Sequence, residues 1–448
     1  MATTVAEVVA QFKADVGLAL SAGAIKKVCA DLGYEFRERV LDPVNTVHAF
    51  LTQVFHGNTA CSDLPHLTGR TFTASAYVQA RARLPLTLID QLFENVTAGL
   101  YSVGSPSSLW RGHRTWHCDG SSFSMADLPE LQNMFGQPGR QAKGCGFPVA
   151  HFLALFHADA GFLQCVIPSP LRTHDMANAA ELHEYMRPGD ILIADRAFAS
   201  FTHLALLSQR NLLAVFRCHQ RQIVNFRPGR RHKTGPADPK GLPTSRWIRR
   251  LGRLDQLVDY VKPSQKPDWI SQQEFDALPE TQTVRELRFK IKMPGCRTRT
   301  VTVVTTLLDP DRYPARALAK LYRQRWTIET NLRHLKTTMK MEVLRCHTVI
   351  GVLKELAMFA LAYNLVRLVM LTAAQRQDVP VERISFIDAL RWLRTAKVHS
   401  TLPNLVVIPH RPDRAEPRAL KRRPKQYDLM TKPRDILRKR LLKQGLEA

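Results

Sequence analysis

At 448 residues, with 45% of them hydrophobic, the chain exceeds one small domain and can bury a substantial core, so two or three domains are expected. A formal net charge of +25 directs it toward phosphate-rich partners, DNA or RNA ahead of an anionic membrane. The eight cysteines form no C-x-x-C pair, which argues against a zinc knuckle or thioredoxin motif and reads as small core residues in a reducing cytosol.

Residues 1–105 read as a helical domain. The opening Met-Ala-Thr-Thr-Val-Ala-Glu lacks the basic and apolar regions of a signal peptide, so a cytoplasmic protein is expected. Apolar residues recur at helical spacing over Val5–Leu20, Ala24–Leu32 and Val44–Phe55. A further helix, Thr73–Leu84, is assigned Ser75 as its N-cap and ends on Arg81 and Arg83 before Pro85. Thr87–Leu100 follows across a short turn. Two helices so joined, the first basic at its end, fit a DNA-binding domain; a helical cap that only packs on its neighbour fits equally well.

From Trp110 the pattern changes to strands. Thr115–Cys118 runs into Asp119-Gly-Ser, Phe147–His157 and Phe162–Ile167 form a hairpin, and a helix spans Asp175–Met186. The apolar run Asp190–Ala194 reads as a buried central strand ending at Asp195, followed by a helix over Ser200–Gln209 and a strand over Leu212–Arg217. The expected fold class is α/β: a mixed sheet with helices packed on it, spanning 110–218 and 305–400. Between these parts, 219–304 reads as a basic, β-rich insertion, with strands at Val284–Met293 and Arg299–Leu307 around Pro294–Arg297. Residues 405–448 form a basic C-terminal arm suited to nucleic acid. The apolar stretch Val349–Ala374 is interrupted by Lys354, Glu355 and Arg367, which favours a buried helix over a membrane span.

Pro314–Met341 contains no internal Gly or Pro and reads as one long helix. At 100° per residue, Tyr322, Arg325, Glu329 and Lys336 project within roughly 60° of one another, beside an apolar face of Leu321, Ile328, Leu332, Leu335 and Met339. A solvated face with i,i+4 charge pairs would look similar. Asp119 and Asp195, however, each stand at the end of a β-run, where open sheets place ligands. Two aspartates and Glu329 from separate segments suit Mg²⁺ or Mn²⁺, and two such ions suit in-line phosphodiester displacement.

Tyr322-x2-Arg325-x3-Glu329-x6-Lys336 matches the signature of bacterial DDE transposases of the insertion-sequence-4 family, which includes the transposon-5 and transposon-10 transposases. Asp119-Gly-Ser and Asp195-Arg-Ala-Phe resemble that family's two aspartate motifs, with Ser121 in place of Thr and Ala197 in place of Gly. The resemblance covers about 110–345 and implies an RNase H-like catalytic domain. Asp119, Asp195 and Glu329 would be the catalytic residues and hold two metal ions. Tyr322, Arg325 and Lys336 would contact DNA at the transposon ends, with Arg333 a further candidate. The implied activity is metal-dependent cleavage and strand transfer by a dimer on paired ends. A nuclease without strand transfer and a non-catalytic DNA-binding derivative are the alternatives. If a hairpin intermediate forms, Trp247 or Trp269 would receive the displaced base; Trp326, beside Arg325, is assigned to packing.

Overall fold

The computed structural model describes residues 19–103, 109–139, 142, 144–171, 173, 175–235, 238–291, 299–396, 401–409 and 432–443. Most of the expected Val5–Leu20 helix, the 294–297 turn and most of the basic arm lie outside these residues.

One nine-stranded mixed sheet organises the fold. Its strands are β1 (Thr115–Ser124), β2 (Val149–His157), β3 (Leu163–Pro170), β4 (Ile191–Ala194), β5 (Leu213–Arg217), β6 (Arg246–Gly252), β7 (Asp255–Val261), β8 (Thr281–Ile291) and β9 (Arg299–Thr305). Their order is β3-β2-β1-β4-β5-β9-β8-β7-β6. β1, β2 and β3 pair antiparallel, and β4 and β5 run parallel to β1. That five-strand arrangement is an RNase H-like sheet, as expected. The insertion does not stand apart from it: β9 pairs antiparallel with β5, and β8, β7 and β6 extend the same sheet outward.

Strands β6 and β7 were not legible in the sequence because charged residues interrupt their apolar pattern. The structure satisfies those charges across the strands. Asp255 of β7 accepts from the buried Arg285 of β8 at 2.8 Å, and Asp259 accepts from Arg246 of β6 at 3.1 Å. A paired charge can occupy a strand position that an unpaired one could not.

Alternation along the strands gives the sheet two apolar faces. Trp116, Cys118, Leu192, Ala194 and Phe216 belong to one large cluster that also takes in the Leu86–Val103, Phe201–Gln209 and Val349–Gln377 helices. Ile191, Ile193, Val215, Val301 and Val303 face Leu318, Leu321 and Tyr322 of the Ala315–Gln324 helix. The Val349–Gln377 helix is long and apolar enough to cross a membrane, but 89% of its apolar window is buried in this core. Its polar interruptions are satisfied internally: Lys354 donates to the Ala82 carbonyl at 2.9 Å, Glu355 accepts from the Cys346 N–H at 2.9 Å, and Arg367 reaches the Ala160 carbonyl. Gly161, at φ 68°, lies so close to Arg367 that a Cβ there would displace its guanidinium.

The N-terminal helices, including Ala22–Asp31 and Pro43–Phe55, share this one hydrophobic core. The Ala74–Arg83 helix is capped by Thr73, whose hydroxyl accepts from the Ala76 N–H at 3.1 Å. Ser75 therefore lies inside the helix and is not its N-cap.

The expected continuous helix over 314–341 is broken into three pieces. Ala315–Gln324 ends where Arg325 and Ile328 N–H groups bond three residues back, to Tyr322 and Arg325 carbonyls, tightening the chain. Thr327–Arg333 resumes as α-helix, and His334–Thr338 widens into a π turn. Lys340, at φ 68°, ends the run. Wide turns of this kind recur at functional sites.

Candidate active site

Strand register brings Asp119 and Asp195 together. In the parallel pair, Thr115 lies opposite Ile191 and His117 opposite Ile193. The same register carried two residues further sets Asp119 beside Asp195. Asp119 is not at the end of its strand, as the sequence suggested. β1 continues to Ser124, with Asp119 opposite Ala154 of β2, while β4 stops at Ala194. The site thus opens where β1 loses one neighbour and keeps the other.

The broken helix supplies the rest. Thr327 Oγ1 lies 3.2 Å from His117 Nδ1, and Lys336 Nζ donates to Ser121 Oγ at 2.9 Å. Beyond the helix the chain pairs with the end of β1, as the Leu344 N–H donates to the Ser124 carbonyl at 2.9 Å. These contacts hold Arg325 and Glu329 over β1. Arg325 Nη2 donates to Glu329 Oε1 at 3.3 Å, and its Nη1 lies 3.8 Å from Asp119 Oδ2. Asp195 acts on the same guanidinium electrostatically, and its Oδ1 is buried without a hydrogen-bond partner.

Among the described residues no three His, Cys, Asp or Glu side chains meet at one metal position. Asp119 and Glu329 flank Arg325 instead, and Asp195 acts on it electrostatically. Partly buried like charges repel, and the guanidinium is the cation that offsets them. Burial raises the Asp119 carboxyl to about 6, opposed by Arg325 and by the Gly120 N–H, which donates to it at 2.9 Å. Asp195 and Glu329 push it further up. Burial lowers His117 to about 3, reinforced by Arg325, so this ring is neutral.

Tyr322, expected against DNA, is 1% exposed and packs edge-on to Phe289 and Trp326. Burial raises its phenol to about 12, with Arg325 opposing. Trp326 carries the Arg325 guanidinium over its ring, 5.4 Å from the centroid. Arg333 and the Glu329 side chain are exposed, and Lys336 is half-buried. From the sequence Ser121 stood out only as a replacement for the family's Thr, and His117 and Thr327 had no role at the site. The available signal was that His117 and Ser121 lie two residues either side of Asp119 and share its strand face.

The family model for the Transposase DDE domain matches residues 111–365. The chain belongs to this family. It is 26% identical over 379 residues to Transposase InsG for insertion sequence element IS4 of Escherichia coli (strain K12), covering 80% of this chain and 79% of that one. A cryo-EM structure of a piggyBac transposase synaptic complex with hairpin DNA covers 85% of this chain and 79% of its own, at 11% identity and a TM-score of 0.43. The DDE transposase is thus an enzyme of DNA cleavage and strand transfer, and its family works with divalent metal ions. The expectation of an insertion-sequence-4-type transposase is borne out.

Proposed function

We propose that Asp119, Asp195 and Glu329 are the catalytic carboxylates of this transposase and hold two Mg²⁺ or Mn²⁺ ions. The observation that carries this reading is the arrangement around Arg325. Carboxylates from β1 and a helix already flank one cation, a third at the β4 end acts on it electrostatically, and that third one, Asp195, has a buried Oδ1 without a partner. An all-oxygen donor set of this charge fits hard divalent ions. When bound, such ions stabilise the attacking and leaving oxygens of a phosphodiester displacement.

The remaining residues bind and orient. Lys336 and the exposed Arg333 lie beside the carboxylates and suit DNA phosphates at the transposon ends, while Arg325, 7% exposed, would reach a phosphate only once metal ions take over the carboxylates. Tyr322, being buried, orients Arg325 from below. Thr327 and His117 fix the helix on β1. The substrate is double-stranded DNA, namely the element's ends and a target. The protein acts in the bacterial cytoplasm as a homodimer on paired ends, with the helices of 1–105 and the arm of 405–448 as added DNA contacts. If a hairpin forms, Trp269 suits the displaced base better than Trp247. It lines a cavity of ≈ 430 Å³ with Arg196, Tyr260 and Arg221, next to the Asp195 turn.

The test is incubation of the protein with its element's end DNA and Mg²⁺. Cleavage followed by joining to target DNA is expected. Glu329→Ala should abolish both while leaving end binding within about threefold. Equal loss of binding and cleavage would remove Glu329 from the metal site.

A further inference from the structure

Two fully buried histidines lie beneath the turn that carries Asp195. Arg196–Phe198 forms a single 3-10 turn with Asp195 at its head, and the Phe198 N–H donates to the Asp195 carbonyl at 3.2 Å. His203 Nδ1 lies 2.9 Å from the Phe198 carbonyl, and its backbone N–H donates to Ser200 Oγ at 3.2 Å. His203 Nε2 faces His183 Nε2 at 2.9 Å. The two residues are 0% and 2% exposed, and the His203 ring stacks on Phe216 of β5 at 5.4 Å.

These contacts fix the protons. A carbonyl only accepts, so His203 Nδ1 carries the hydrogen it donates to Phe198. Burial keeps both rings neutral, with His203 lowered to about 4 and His183 to about 2. The neutral His203 therefore presents a bare Nε2, and His183 Nε2–H donates to it. His183 Nδ1 is then a bare acceptor, which agrees with its having no partner. The chain of bonds runs from His183 through His203 and Phe198 to the backbone of Asp195.

We propose that His203 and His183 are positioning residues that hold the Asp195 carboxylate in place for metal, His203 by fixing the turn and His183 by fixing the tautomer of His203. The inference rests on Asp195 being a metal ligand. Neither histidine touches the reacting atoms. Their effect passes through an outer hydrogen bond, the kind of support whose loss costs ten- to a hundredfold in metal affinity.

The experiment measures Mn²⁺ binding to the full-length protein without DNA, by electron paramagnetic resonance of free Mn²⁺, beside thermal melting and end-DNA binding. His203→Phe keeps the stack on Phe216 and removes the donor; its Mn²⁺ affinity should fall about tenfold or more with end-DNA binding unchanged. His203→Asn places an amide N–H where Nδ1 sits and should recover to within about threefold of the parent. His183→Phe should fall between the two. Unchanged Mn²⁺ affinity in His203→Phe overturns the proposal. So does failure of His203→Asn to recover affinity when it melts at the parent temperature. Asp195→Asn separates this from the underlying reading. If it binds Mn²⁺ as the parent does, Asp195 is not a ligand. If it loses Mn²⁺ while His203→Phe does not, only the positioning role fails.

Discussion

Arg325 lies between Asp119 and Glu329, with one terminal nitrogen 3.8 Å from Asp119 Oδ2 and the other 3.3 Å from Glu329 Oε1. Without it, three carboxylates would share a partly buried site with no counter-charge. Arg325→Ala should therefore destabilise the metal-free protein, by about 2 kcal/mol for charge-assisted contacts of this kind. Millimolar Mg²⁺ should recover more stability in the variant than in the parent, because a cation replaces the lost one. Melting curves with and without Mg²⁺ decide this. Equal Mg²⁺ responses would show that Arg325 does not offset the carboxylates.

Buried neutral histidines set an acid limit on stability. Burial lowers His157 to about 4, His203 to about 4 and His183 to about 2, from an ordinary 6.5. The unfolded chain takes up protons there before the folded one does. Their contribution is thus complete above about pH 6.5 and is lost as pH falls toward 4, at about 1–2 kcal/mol per histidine by pH 5. Asp119 works in the opposite direction. Raised to about 6, it protonates first in the folded state and partly offsets the loss as pH falls through 6. The net expectation is a melting temperature that declines from pH 7 to pH 5, with net proton uptake on unfolding. A flat profile over that range would contradict the neutral assignments.

The parts of this fold that were readable are those written locally. Apolar runs and turn residues gave β2 to β5, the helix at 201–209 and the long buried helix with only small errors at their ends, while β1 ran six residues past its expected end at Cys118. The two aspartate motifs and Glu329 were legible as candidates because each sits in a distinctive local pattern. What the sequence did not carry was long-range. Strands β6 and β7 depend on Arg285 and Arg246 reaching across to Asp255 and Asp259. The break at Arg325 depends on three tightened hydrogen bonds, and an ideal helical wheel cannot foresee it. Tyr322 looked like part of a polar stripe, but the sheet beneath it made it core.

Asn364 ties the N-terminal helices to the sheet. From the Val349–Gln377 helix it accepts from the Leu163 N–H at 2.8 Å, donates to the Leu163 carbonyl at 2.8 Å, and donates to Thr97 Oγ1 at 3.0 Å. Asn364→Leu would leave two buried backbone groups of β3 unpaired. The expected cost is about 2–4 kcal/mol, read as a lower denaturant midpoint in a single transition. If the N-terminal helices instead melted in a separate step, the shared core would not couple them to the sheet.

Lys336 reports on phosphate contact without taking part in the carboxylate cluster. Its ammonium donates to Ser121 Oγ, two residues past Asp119, and so stays beside the site from the middle of the π turn. If it pairs with one phosphate of the transposon end, Lys336→Ala should lower affinity severalfold and reduce the slope of log affinity against log salt by about 0.9. Ser121→Ala removes only the tether, so it should leave that slope unchanged and weaken binding less, because a free lysine still reaches phosphate at an entropic cost. Titrations of end DNA at several salt concentrations give both quantities. An unchanged slope in Lys336→Ala would assign this lysine to holding β1 and the helix together, with the phosphate contacts carried by Arg325 and Arg333.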